Sequence, residues 1–343
     1  MSVRKAISMD CFRILSQKLL ELTETGSVRD EIRTVLCGVP FRIRCLDFEP
    51  APKMFSALIR AKDLSSGRRE EVFTCIFRDS SELIPILPAE LQNRPGRYVW
   101  SGDEGRYAFS SEYGFLSLYH AEKNETFVWL CSDKHPEDAF VSPLFRMELG
   151  WWALRRDLLF LHSAAVGMDG KGILLSGVGG SGKSTLALSA MLSGMQFLSD
   201  DYLIVDPTVP EAFRIYDTGY LTDAMLCRLP ELRSSAFWHS DIRNKTLIRL
   251  DPERWHIPDR IRLQAVVVPR IVHATTPSLE RCADLGRLIP LLASTSYQNR
   301  ELRNEEVFRS IVRLLRMLPT YDFALTDDLR ANASYLKEWT DKL

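Results

Sequence analysis

The amino-acid sequence predicts a mixed α/β chain of the α+β kind, in which a mainly antiparallel β domain is followed by a second, α/β domain. Three observations carry this. The chain has 343 residues, too many for one average domain and enough for two, each with its own core. From about Val35 to Cys131, short β-like runs alternate with turn residues. Farther on, "GVGGSGKS" (Gly177 to Ser184) stands between an apolar run and a helical one, the setting in which glycine-rich loops hold phosphates.

Composition narrows the function classes. With 45% apolar and 26% charged residues, the chain has an ordinary globular composition. Its 44 basic and 45 acidic residues nearly cancel, so no global field gathers nucleic acid or anionic lipid. Neither partner is expected, and any phosphate binding must be local. "MSVRKAISMDCFRILSQKLLELTETG" lacks the apolar centre of a signal peptide, and no run approaches about 18 apolar residues. The expected location is cytoplasmic. Seven cysteines (Cys11, Cys37, Cys45, Cys75, Cys131, Cys227, Cys282) are scattered without a C-x-x-C pair. They read as reduced, mostly buried thiols rather than a disulfide frame or a zinc site.

In order along the chain, Phe12, Leu15, Leu19, Leu20 and Leu22 recur at helical spacing and predict a first helix. The runs "FRIRCLDF", "FSALIRA", "EVFTCIF", "RYVWSG", "GFLSLYH" and "TFVWLC" predict the β domain, residues 1–140, with a recognition or accessory role. "HPEDAFVSP" marks the boundary, and Ser142 with Pro143 opens a helix through "LFRMELGWWALRRD". The second domain, residues 141–343, begins with "LFLHSAAVG" and "KGILLSG", joined by a tight turn at Asp169-Gly170. Later come a buried strand "LQAVVVP" and a helix "NEEVFRSIVRLLRML" with Val307, Phe308, Ile311, Leu314 and Leu315 on its apolar side. A strand "YDFALT" and a terminal helix finish the chain.

Gly177, Val178, Gly179, Gly180, Ser181, Gly182, Lys183, Ser184 and Thr185 form the phosphate cradle. Glycines let successive backbone N–H groups turn inward, and the helix start behind them adds partial positive charge. Lys183 supplies a full charge to the outer phosphates, and Ser184 a hydroxyl for magnesium. The helix from Lys183 to about Ser193, capped by Gly194, carries the chain about 16 Å away. A strand from Met195 to Asp201 returns about 23 Å. Asp200 and Asp201 are thus expected level with the phosphates. Alternating strand faces would send one toward the transferring phosphoryl group and the other toward the metal or a supporting hydrogen bond. Asp206, ending "YLIVD", is the weaker rival for the metal, because its strand end has travelled onward. His162 lies on the strand paired with the one entering the cradle, either as a core histidine or as a phosphate-side contact.

Taken in order, these pieces resemble the catalytic core of the HPr kinase/phosphorylase family and its HPr-kinase-like relatives, which join a P-loop to a phosphoenolpyruvate-carboxykinase-like fold. A histidine opening a β-hairpin, the P-loop and a Gly-then-DD segment follow one another. His162 stands 21 residues before Lys183 and Asp201 18 after it, the family's spacing. The likeness covers about Leu161 to Val205, continues through "LPTYDFALTDD" and the last helix, and fades over residues 1–140. It implies ATP phosphates at Gly177 to Ser184, magnesium on Ser184, a catalytic proton acceptor at Asp201 and an assisting role for His162. Asp200 is left as the metal-facing acid.

Where the family has an ERLGLE-like segment, this chain has "YDTGYLTDAMLCRLPELR". A second magnesium ligand would then fall to Asp217 or Asp223, and the reverse, phosphate-removing reaction is not expected. "CRLP" resembles an arginine-leucine element of the relatives, which implies a substrate or phosphate contact for Arg228; Lys245 in "NKTLIRL" is a second candidate, and both read otherwise as ordinary surface charges. The resulting expectation is an ATP- and magnesium-dependent kinase acting on a serine-type hydroxyl of a small protein or peptide. An HPr-like carrier and a natural-product precursor peptide are both acceptors within reach of the resemblance, the second or an unrelated partner being preferred over HPr itself. Because family members form oligomers, a homo-oligomer is also expected. A small-metabolite kinase and a non-catalytic, nucleotide-gated binding protein remain as alternatives, and the cradle pattern does not separate ATP from GTP.

Overall fold

A computed structural model of the chain describes residues 9–50, 55, 57–58, 69–92, 96–133, 145–240, 244–272, 275–298 and 305–343. It is a mixed α/β structure with several sheets, divided into two compact units, Met1–Glu148 and Leu149–Leu343. The expected boundary stretch "HPEDAFVSP", the Ser142–Pro143 helix start and most of "FSALIRA" lie outside the described residues.

The first unit opens with α1 (Met9–Thr25), which buries Cys11, Phe12, Leu15, Ser16 and Leu19 on one face. Then come β1 (Val28–Leu36), β2 (Val39–Leu46), β3 (Glu71–Arg78), the short α2 (Ser80–Leu83), β4 (Arg97–Gly102), β5 (Gly105–Ser110), β6 (Phe115–His120) and β7 (Glu125–Cys131). Among the described residues they form a seven-stranded sheet in the order β1-β2-β3-β7-β6-β5-β4. Pairing is mainly antiparallel, as the sequence predicts, but β2–β3 and β3–β7 run parallel. The apolar side of α1 packs with Tyr107, Leu118, Phe127 and Trp129 of the sheet. Sequence periodicity misses β1, since "VRDEIRTVL" is an edge strand whose residues are mostly exposed or half-buried; it also misses β5.

Helix α3 (Arg146–Leu154) spans the division. The second unit continues with β8 (Leu159–Leu161), β9 (Ala164–Met168), β10 (Lys171–Leu175), α4 (Lys183–Leu192), β11 (Gln196–Ser199), β12 (Leu203–Asp206), β13 (Glu211–Phe213) and β14 (Thr218–Leu221). After α5 (Asp223–Arg228) come β15 (Ala236–Ser240), β16 (Lys245–Arg249), β17 (Arg260–Ile271), β18 (Ser278–Cys282), α6 (Leu285–Gln298), α7 (Glu305–Met317), β19 (Thr320–Leu325) and α8 (Leu329–Asp341). The larger sheet runs β11-β9-β10-β17-β13-β12-β8, with β19 joining β17 and β18 beyond it; β14, β16 and β15 make a separate small sheet.

Strand alternation sorts the large sheet's side chains into two cores. Ala164, Val166, Ile173, Leu175 and Val267 face α4 and α8. Ala165, Leu174, Val266 and Val268 face α6 and α7. The predicted hairpin is present, with β9 antiparallel to β10 and positive φ at both Asp169 (50°) and Gly170 (79°), the requirement of a two-residue primed turn. Two expectations need correction. "LFLHSAAVG" is not one strand, because the chain breaks at His162–Ser163 so that β8 pairs with β12 and β9 with β11. On α7, Ile311, Leu314 and Leu315 are buried while Phe308 is 50% exposed.

Candidate functional site

Strand β10 ends at Leu175, and Ser176 N–H still reaches the Val267 carbonyl of β17 at 3.0 Å. The loop Gly177–Gly182 then turns into α4, whose first ladder bond is Leu186 N–H to the Gly182 carbonyl, 2.8 Å. At Gly182, φ is +96° and an added Cβ would sit 2.9 Å from Leu325 Cδ1, so both backbone and space demand glycine. At Gly179 an added Cβ would meet no protein atom within 4 Å, which leaves that side of the loop open. Lys183 is 7% exposed, and its Nζ donates to the Gly177 carbonyl (2.7 Å) and the Val178 carbonyl (3.1 Å). Burial lowers its pKa, the charges of Asp200 and Asp201 pull it back up, and Lys245 adds to the lowering.

The chain returns from α4 through Gly194 (φ 90°), and β11 ends at Ser199, two residues short of the predicted strand end. Asp200 and Asp201 therefore lie in a turn, held by Tyr202 N–H to the Asp200 carbonyl (3.0 Å) and Ser199 Oγ to the Tyr202 carbonyl (2.7 Å). The two acids do diverge, but through the left-handed backbone of Asp201 (φ 71°), a conformation Asp tolerates better than most residues, rather than through strand alternation.

Asp200 is 2% exposed. Its Oδ2 accepts the Tyr220 N–H at 3.0 Å, and the Ser184 hydroxyl lies near enough to favour its charged form. Burial raises its pKa and the Asp201 charge adds to the rise; the Tyr220 hydrogen bond, the Ser184 hydroxyl and Lys245 work the other way. The Tyr220 amide is delivered by β14. Its neighbour Gly219 lies so near α4 that an added Cβ would be 3.1 Å from Leu188 Cδ2. Asp201 Oδ1 is 2.8 Å from His162 Nε2. The His162 ring stacks on Tyr202 (centroids 5.1 Å, 19° between planes), and Tyr202 stacks on Phe160 (5.0 Å, 13°).

The structure thus gathers Lys183, Ser184, Asp200, Asp201 and His162. Lys245, at the start of β16, acts electrostatically on both Lys183 and Asp200. Arg228 is exposed and donates to the Asp327 carbonyl, a tie between the end of α5 and the approach to α8. Asp206 closes the β12–β13 turn, accepting Thr208 N–H (2.8 Å) and Oγ1 (2.6 Å). Asp217 is engaged by the buried Arg214, and the other charges acting on it are Asp259 and Arg249. Asp223 accepts Thr246 Oγ1 at 2.8 Å. Sequence reasoning misses Tyr202 and the Tyr220 amide. An aromatic residue directly after the acid pair was a signal for Tyr202; the amide depends on where β14 docks and left no mark in the residue types.

No family model matches the chain, and no curated protein matches it. Among solved structures, the HPr(Ser) kinase/phosphatase from Coxiella burnetii matches at 12% identity over 54% of this chain and 94% of its own, with a TM-score of 0.27. That likeness is too loose to carry a conclusion about this chain. Among the described residues, no helix is long and apolar enough to cross a membrane.

Proposed function

We propose that this protein is an ATP- and magnesium-dependent kinase that phosphorylates a serine-type hydroxyl on a small protein or peptide. One observation carries the reading: beside a buried lysine and a glycine-rich loop, two adjacent carboxylates are turned to different partners, Asp200 to Ser184 and Asp201 to His162. A nucleotide hydrolase needs one metal-facing acid, whereas transfer to a hydroxyl adds a base for the acceptor proton.

The donor set suits magnesium. A serine hydroxyl and a carboxylate are hard oxygen ligands, and this ion commonly takes one or two carboxylates together with substrate phosphates. Ser184 and Asp200 would hold it. Bound there, magnesium would neutralise charge on the outer phosphates. The loop from Gly179 to Ser184 binds phosphate oxygens through backbone N–H groups, and Lys183 exchanges its two carbonyl partners for the same oxygens. Asp201 takes the proton of the acceptor hydroxyl. His162 orients the Asp201 carboxylate, and Tyr202 fixes the histidine ring. With little covalent work to do, the rate comes from placement and charge.

The test is transfer of label from γ-labelled ATP with magnesium to serine-bearing peptides and HPr-like carriers, comparing the wild type with Asp201→Asn. Transfer should fall by about 10²- to 10⁴-fold in the variant while nucleotide affinity is kept. Undiminished transfer by the Asn variant removes Asp201 as the base. Nucleotide binding by the wild type without transfer to any hydroxyl points to a nucleotide-gated binding protein instead.

A further inference from the structure

We propose that the first unit binds a basic peptide segment in a groove between α1 and the turns that join β4 to β5 and β6 to β7. The groove encloses about 740 Å³, within the range of ligand sites, about 300–1,000 Å³. The two turns are tied by Ala121 N–H to the Glu104 carbonyl, 3.0 Å, so their acidic tips are held together opposite the helix.

Its charge is one-sided. Among the described residues, five carboxylates line it against one guanidinium. That guanidinium, Arg13, is already committed to Glu104 by a two-point contact (2.6 and 3.1 Å). Glu21, Glu24, Asp103 and Glu122 make no ion pair among the described residues. Phe12, Leu20 and Ala121 supply its apolar lining, and Phe12 is backed by Trp100, ring centroids 4.8 Å apart. A second, independent observation points to a ligand. Ser16 is 4% exposed and lines the groove, and its Oγ has no hydrogen-bond partner among the described residues, which leaves a buried polar group unsatisfied.

These features select the occupant. Among the described residues no three of His, Cys, Asp and Glu converge as a metal site, which argues against a divalent cation. The lining positions on α1 run from Phe12 to Glu24, about 18 Å of helix, the length of about five extended residues. A lysine or arginine side chain lays its methylene stem on an apolar floor and keeps its charge at an acidic rim, and successive basic residues would meet successive carboxylates. That the segment belongs to the phosphoryl acceptor is the one part that rests on the kinase reading. Docking is therefore measured without nucleotide, so that loss of docking and loss of transfer are separate results.

The experiment is fluorescence anisotropy of a labelled pentalysine peptide with the full chain at about 150 mM salt, where diffuse attraction is screened beyond about 8 Å. Wild type should bind saturably. Glu21→Gln/Glu24→Gln and, separately, Asp103→Asn should weaken binding about tenfold. Glu305→Gln/Glu306→Gln, an equal charge change on α7, should leave it unaltered. Hydrogen exchange should slow over residues 9–25, 103–104 and 120–122 on peptide addition. Three results overturn the proposal: no binding by wild type, equal weakening by the α7 variant, or spermidine binding as tightly as the peptide.

Discussion

Asp201 holds an unfavourable backbone conformation (φ 71°) and places its carboxylate 2.8 Å from His162 Nε2. A strained residue of this kind persists when its surroundings over-determine it, here the Ser199–Tyr202 tie and the stacked rings of Tyr202 and His162. In His162→Ala the carboxylate loses its orienting partner but keeps its charge. The expected outcome is a fall of about tenfold in kcat with little change in KM for ATP, because positioning and not nucleotide binding is lost; a change confined to KM contradicts this role. At this scale the proximity of the acid pair to Lys183 was legible in the sequence, because a short helix and a short returning strand leave the chain few places to go, whereas His162 was singled out only by the resemblance to HPr-kinase-like proteins. The partner of Asp200 on its other side, the Tyr220 amide, was not legible, because any residue type can donate a backbone N–H.

Helix α4 and its loop form an element whose conformation is fixed by glycine. Gly182→Ala would meet both a positive φ and Leu325 Cδ1 at 2.9 Å. We expect a loss of about 1–2 kcal/mol, read as a lower midpoint in urea unfolding, and weaker nucleotide binding as the loop shifts. Unchanged affinity would mean that the loop does not hold phosphate. Helix α8 packs on α4 through the core that contains Leu336, and its start is capped by Asp328, which accepts Arg330 N–H (2.9 Å) and Ala331 N–H (3.0 Å). Asp328→Ala should cost about 1 kcal/mol, with nucleotide affinity retained. The hairpin β9–β10 and helix α4 were readable from Asp169-Gly170, the apolar run and the glycine pattern. The break at His162–Ser163 was not, since Leu159 to Val166 is continuously suited to a strand and only the separate partners β12 and β11 divide it. Likewise β1 is a charged edge strand without alternation and became a strand through its pairing with β2.

Across the molecule, stability should depend on pH through a group far simpler than the site. Burial pushes the Asp217 carboxyl up to about 6, although the Arg214 guanidinium pulls the other way. The unfolded chain releases this proton near pH 4, so between about 4 and 6 the folded state binds the extra proton. The contribution is fully present below about 4 and is lost as pH rises through about 6. Between pH 4 and 7, the unfolding free energy of Asp217→Asn should therefore gain on that of the wild type by about 2 kcal/mol; a difference that does not vary with pH contradicts the raised value. The second unit's sheet, with α4 and α8 on one face and α6 and α7 on the other, carries the loop after β10 and the acid pair after β11 at strand ends on the same side. The most direct measurement of that account is a crystal structure with magnesium and a non-hydrolysable ATP analogue. The expected result is a triphosphate along Gly177 to Ser184, magnesium on Ser184 and Asp200, and the Asp201 carboxylate within hydrogen-bond or single-water reach of the point from which an acceptor oxygen attacks in line with the γ-phosphorus. A nucleotide bound elsewhere, or an Asp201 carboxylate turned away from the γ-phosphoryl group, would contradict it.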